Sequence, residues 1–183
     1  MDVLSGIALA APAGLNAYIP LLGVALAERF GWMTLRGSFD VLGEWWMIAL
    51  IAVLLLVEII ADKIPVVDHV NDAIQTVVRP AAGGLLAASA SGAGTLSTVA
   101  LVVVGVLLAG GVHVAKAAAR PVINATTGGL GAPVASTTED VGAAGLTVLA
   151  IAVPLLAIAV VITLMVIVAL AVRRRRVPPP ASP

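Results

Sequence analysis

The sequence predicts an all-α protein, a polytopic transmembrane helical bundle of about four principal spans with broken or re-entrant segments rich in glycine and proline. Three observations predict it. The 183 residues are 61% hydrophobic and 11% charged, where a soluble domain carries roughly 25% charged residues. Several apolar runs approach the ~20 residues a helix needs to cross a bilayer. Alanine and glycine are abundant and aromatic residues make up 3%, a composition that lets membrane helices approach closely. The formal net charge of zero gives no case for nucleic acid, and the absence of cysteine removes disulfides, thiolate metal sites and cysteine nucleophiles.

The elements follow in chain order. The start, MDVLSGIALAAPAG, carries Asp2 and no basic residue, so it reads as the beginning of a retained membrane helix rather than a signal peptide. Val3 to Ala27 is apolar enough to span but is interrupted by Pro12, Gly14, Asn16 and Pro20. Two readings stay open there: a proline-kinked spanning helix, or a broken, re-entrant helix whose freed backbone groups face protein or a cavity. Glu28 to Glu44 is a polar loop flanked by Trp32, Trp45 and Trp46, which suit a membrane-interface belt. Trp46 to Ala61 is the second span, and Glu58 and Asp62 fall four residues apart on one face of its end. A bare charge at that depth is costly, so Glu58 must be paired, protonated or turned to a cavity.

Ile64-Pro65 then ends the helix, and Asp68 is placed to cap a short helix from His69 to Arg79. Its apolar face (Val70, Ala73, Ile74, Val77, Val78) and polar face (Asp72, Gln75, Thr76, Arg79) predict a helix lying in the interface. Residues 80–97 and 121–135 are small and glycine-rich; whether each crosses, re-enters or lies at the interface stays open. Thr98 to Val112 is a strongly apolar segment. Arg79-Pro80 before Gly83-Gly84-Leu85 and Arg120-Pro121 before Gly128-Gly129-Leu130 form an echo that could mark an internal repeat. Ser136-Thr137-Thr138-Glu139 has capping-box spacing, with Asp140 in the first turn of the final span, Val141 to Val172. That span exceeds the ~30 Å hydrocarbon core at about 1.5 Å per residue, so it must tilt, kink at Pro154 or protrude. Residues 1–172 thus form a single integral membrane domain. Residues 173–183 form a disordered, proline-rich tail, and Arg173 to Arg176 place it in the cytoplasm.

The stretch His113 to Asp140 holds the main functional signal. On a helix, His113, Lys116, Arg120 and Asn124 fall at spacings of three, four and four, which is one face. This cationic stripe is expected to meet the carboxylates Glu58, Asp62, Glu139 and Asp140.

The ordered set VEIIADKIPVVD, VRPAAGG, HVAKAAAR, Asn124 and STTED, together with the opening GLNAYIPLL, resembles a bacterial integral-membrane family, domain of unknown function 4126. The resemblance runs from about Gly14 to the start of the last span. It implies a polytopic helical membrane protein and no assigned activity, substrate or cofactor. One departure lies after Asn124, where Ala125-Thr126-Thr127-Gly128-Gly129 stands in place of a Ser-Pro-rich turn.

The polar set gives the expected function. The chain is expected to be a transporter or channel-like permease for a small polar or anionic solute, in the cell (inner) membrane. Glu58, Asp62, Arg79, His113, Lys116, Arg120, Asn124, Glu139, Asp140 and Asn16 are the candidate binding residues. Arginine can hold a carboxylate or phosphate bidentately, and an unperturbed histidine titrates near neutral pH. The alternative is a structural or lipid-interacting protein whose charges only fix helix packing. No HExxH, Gly-x-Ser-x-Gly or P-loop pattern occurs, so neither an enzyme, a metal nor a cofactor is expected. Membrane lipid is the expected partner, and the small-residue helices make a homo-oligomer possible.

Overall fold

The computed structural model describes residues 1–35, 37–62, 65–89, 95–128 and 131–175. These residues are helical and contain no strand. The helices are α1 (Val3–Leu15), α2 (Tyr18–Arg29), α3 (Trp45–Ala61), α4 (Pro65–Ser89), α5 (Thr95–Thr127), α6 (Gly131–Ala152) and α7 (Pro154–Arg175), with a 3₁₀ segment over Gly37–Gly43 before α3. Helix α5 is long and apolar enough over Thr98–Thr127 to cross a membrane, and the 3₁₀ segment with α3 passes the same test as a pair bent by 67°. The all-helical class is therefore shown, and the expected four spans are not separately resolved by length and composition. The reason lies in breaks and length: the first expected span divides into α1 and α2, the last into α6 and α7, and α3 holds 17 residues.

Helix α1 is the central element. Residues Ala8 to Gly14 are buried on all sides, and α1 packs against α4, α5, α6 and α7. Its N-terminus is capped by Asp2, whose Oδ1 accepts the Ser5 N–H at 2.7 Å. That bond holds the Asp2 carboxyl below its ordinary value. A carboxyl lowered in the folded state stabilises above its unfolded value and loses that contribution as pH falls through the folded value. Asp2→Ala is expected to remove about 1 kcal/mol from the first turn at neutral pH. Amide exchange at Ser5 should report the loss, and wild type and variant should converge in acid.

The chain then folds back. Helix α1 ends at Asn16, which is extended at φ −146° and ψ 123°, and α2 runs in return. The amino group of Met1 donates to the Thr34 carbonyl at 2.7 Å. A single helix over Val3 to Ala27 would separate its ends by ~38 Å. The α1–α2 unit is therefore a helical hairpin rather than a kinked span. Neither proline makes the break: Pro12 lies inside α1 and Pro20 within the first turn of α2. Asn16 makes it, because its Oδ1 accepts the N–H groups of Tyr18 and Ile19 at 3.0 and 3.1 Å and so caps α2.

Helix α4 overturns two expectations. It starts at Pro65 and continues through Pro80 to Ser89, so Asp68 lies inside the helix and does not cap it. Nor does the helix present its whole polar face outward: Thr76 is exposed and Asp72 half-buried, but the other two members turn inward. Val70, Ile74 and Val77 point outward, Val77 being 72% exposed, whereas Gln75 is buried and Arg79 is 0% exposed. Gln75 and Arg79 thus turn inward against the amphipathic pattern, because the interior supplies Glu58 and His113 as partners for Arg79. Residues 80–89 are the end of α4, and Gly83 and Gly84 press against α5. Helix α5 likewise passes through Pro121 and ends at Gly128, whose φ of +60° favours glycine. Gly83 and Gly84 thus pack against a helix, whereas Gly128 ends one; Gly129 and Leu130, the rest of the second copy of the echo, lie outside the described residues.

Helix α6 starts at Gly131, so Ser136 and Glu139 are interior to the helix rather than a capping box, and Asp140 is past the first turn. The long final run is broken at Val153 before Pro154, one of the outcomes its length required. Trp32, Trp45 and Trp46 are all exposed, and the Arg29 guanidinium lies 4.8 Å from the Trp45 ring centre. The outward surfaces of α3, α5 and α7 are rich in Leu, Val and Ile. Among the described residues, the outer helix faces are apolar, and charged side chains are buried between helices beside an apolar core.

Candidate functional site

The site begins with α3. Glu58 and Asp62 are four residues apart, so both point to one side, and both are buried. Each organises a separate group.

Glu58 pairs with α4. Arg79 Nη2 donates to Glu58 Oε1 at 2.8 Å, with both side chains almost wholly enclosed. Arg79 Nη1 lies 3.0 Å from His113 Nδ1 on α5. A guanidinium only donates, so Nδ1 accepts and the ring proton sits on Nε2, 3.1 Å from Thr76 Oγ1. Thr76 in turn donates to the Asp72 carbonyl at 2.8 Å. A second proton on His113 would set N–H against N–H, so His113 can carry one only if Arg79 moves. The pair leaves Glu58 Oε2, Gln75 Oε1 and Arg79 Nε buried without a protein hydrogen bond.

Asp62 is the hub of the second group. Its Oδ1 accepts Asn71 Nδ2 at 2.7 Å, and its Oδ2 accepts Ser136 Oγ from α6 at 3.1 Å. Lys116 Nζ and Arg120 Nη2 approach the same Oδ2 at 3.8 and 3.7 Å. Both also reach Glu139 Oε2, at 2.7 Å from Lys116 and 3.3 Å from Arg120. Arg120 Nη1 lies 3.8 Å from Asp72 Oδ2 as well. Two cations are therefore shared among three carboxylates from three helices, in contrast to the one-to-one Arg79–Glu58 pair.

The tip of the α1–α2 hairpin meets this group. Lys116 Nζ donates to the Leu15 carbonyl at 3.2 Å, where the negative end of the α1 dipole favours a cation. Asn16 Nδ2 donates to Asp140 Oδ1 at 2.9 Å. The hairpin and the charged helices thus interlock at one place.

Nine of the ten sequence-predicted residues are brought together here: Asn16, Glu58, Asp62, Arg79, His113, Lys116, Arg120, Glu139 and Asp140. The side chain of Asn124 lies outside the described residues, as does Lys63. The cationic stripe does face Asp62 and Glu139, whereas Glu58 is taken by Arg79. Sequence reasoning missed Asn71, Asp72, Gln75, Thr76 and Ser136 as members. Their signal was present as helical spacing: Asp72, Thr76 and Arg79 recur at four and three, and Ser136 and Asp140 at four. Asp72, Gln75 and Thr76 were assigned to the polar face of an interfacial helix and Ser136 to a helix cap, and Asn71 was given no part. Among the described residues no group of three His, Cys, Asp or Glu is placed to hold a metal ion.

No curated protein and no solved structure matches the chain. Its order of motifs agrees instead with a family profile that covers residues 3–174. The chain belongs to the family described as Domain of unknown function (DUF4126).

Proposed function

We propose that the chain is a multi-pass integral membrane protein of the cell membrane, with a cytoplasmic C-terminus, that acts as a permease for a small polar solute. The observation that carries this reading is the contact between the hairpin tip and the shared ionic cluster. A helical hairpin that breaks mid-bundle, with its Leu15 carbonyl and Asn16 amide turned to buried charges, is the form that irregular backbone takes where it lines a solute path. The apolar outer surface supports insertion in lipid, and the adjacent arginines after Val172 support the orientation. Degenerate pairing supports movement: Lys116 and Arg120 can exchange among Asp62, Asp72 and Glu139 with little rearrangement.

Charge balance narrows the solute. Between residues 58 and 140 the chain carries six carboxylates, Glu58, Asp62, Asp68, Asp72, Glu139 and Asp140, against four Lys and Arg residues, Lys63, Arg79, Lys116 and Arg120, besides His69 and His113. The surplus favours a solute, or a coupled proton, that brings positive charge. The alternative reading, charges that only fix packing, is favoured for Arg79–Glu58 by its one-to-one geometry and complete enclosure.

Reconstitution tests the reading. Proteoliposomes of the purified chain are expected to take up radiolabelled methylammonium or guanidinium faster than glycine or acetate. Asp62→Asn should lower the rate at least tenfold. Asp72→Asn, at the more exposed edge of the cluster, serves if Asp62→Asn does not fold. Uptake of all four solutes at the rate of protein-free vesicles, or full rates in folded variants, overturns the proposal.

A further inference from the structure

A cleft of about 470 Å³ lies beside the cluster, walled by α1, α5, α6 and α7. Leu15, Val112, Ala119, Leu146, Val161 and Met165 line it, and Lys116 and Glu139 are the charged residues in its otherwise apolar wall. Leu164 and Met165 are also exposed on the outer face of α7, so the cleft opens sideways, between α5 and α7, onto the apolar surface of the bundle. An apolar wall of this size with one ionic pair in it suits an alkyl chain that carries a charged terminus.

The charge the wall presents to that terminus is negative. Lys116 is already held by the Leu15 carbonyl, Glu139 and Asp62, and its side chain is 3% exposed against 17% for Glu139. Both cations sit on Glu139 Oε2. Asp62, Asp72 and Glu139 outnumber Lys116 and Arg120 around it, and Asp140 follows directly. We infer that this cleft binds a single-chain amphiphile with a cationic amine head, its apolar chain between α5 and α7 and its ammonium on Glu139. An anionic head would meet the carboxylate surplus, and a neutral head would leave that surplus uncompensated.

The site rests on the membrane reading above but not on transport, so binding is measured apart from flux. The full chain in nanodiscs of zwitterionic phospholipid is titrated with radiolabelled dodecylammonium, dodecanol and dodecanoate, each corrected for empty discs. One saturable site is expected, with dodecylammonium binding at least tenfold more tightly than dodecanol and dodecanoate weakest. Glu139→Gln should lower dodecylammonium affinity at least tenfold and leave dodecanol unchanged. Ala115→Phe, which fills the cleft without touching a charge, should weaken both and covers the case in which Glu139→Gln does not fold. Equal binding of the three probes would reduce the cleft to a lodging for lipid tails and overturn the inference. So would the absence of a saturable site, or a folded Glu139→Gln with unchanged preference. Saturable amine binding without methylammonium uptake would retain the site and remove the permease; the reverse result would do the opposite.

Discussion

Replacing Arg79 with methionine is expected to destabilise the protein by about 3–5 kcal/mol, the usual result of removing one partner of a buried ion pair. Arg79 is fully enclosed, and its guanidinium serves both Glu58 Oε1 and His113 Nδ1. Methionine fills much of the volume but leaves a buried carboxylate and an imidazole acceptor without donors. The double variant Arg79→Met, Glu58→Leu removes the uncompensated charge and is expected to recover most of the loss, because a buried pair and an apolar replacement are often close in stability. Thermal unfolding of the purified variants in one detergent measures both effects. A double variant as unstable as Arg79→Met would show that the loss comes from packing or from His113, not from the stranded Glu58.

The second large effect is expected where α4 crosses α5. A Cβ added at Gly105 would overlap the Gly83 carbonyl oxygen and lie 2.8 Å from Ala87 Cβ. A Cβ at Gly83 would meet the Gly105 carbonyl oxygen at 2.6 Å and Ala109 Cβ at 2.5 Å. The obstacles on both sides include backbone, which no rotamer change moves aside. Gly105→Val should therefore force the helices apart and destabilise by about 3 kcal/mol or more. Gly110 supplies the control: a Cβ there finds only Pro80 Cγ, at 3.6 Å, so Gly110→Ala should be neutral or stabilise by up to about 1 kcal/mol through helix propensity. The same unfolding measurement compares the two. Equal losses at Gly105 and Gly110 would mean that the close approach is not what holds α4 to α5.

These two sites also show how the sequence relates to the structure. Gly83, Gly84 and Gly105 were legible as small residues that permit close packing, but their partners were not, since backbone contact between helices leaves no periodic trace. Asn16 was legible as an interruption. Its cap on α2 is local, through the N–H groups of Tyr18 and Ile19, whereas the return of the chain shows in the Met1–Thr34 contact, which joins residues distant in sequence. The one-face spacing of His113, Lys116 and Arg120 correctly placed three buried groups on α5. The reading of α4 failed on direction: a helical stripe specifies two faces, not which one is inside. Water draws the polar face outward only where water is the surrounding medium. Ser136 failed for a related reason, since the capping-box pattern and an inward-facing polar stripe share the same spacing of three.

By itself, the sequence determined the helical class, the apolar character, the family and most of the charged residues of the buried cluster, though not Asp72, because composition and local period carry that information. Only the tertiary structure decided that α1 and α2 form a hairpin, that Arg79 is sealed with Glu58, and that Lys116 and Arg120 are shared among Asp62, Asp72 and Glu139. Such pairings depend on which helix faces meet, and a charge has no directional signature until its neighbours are in place.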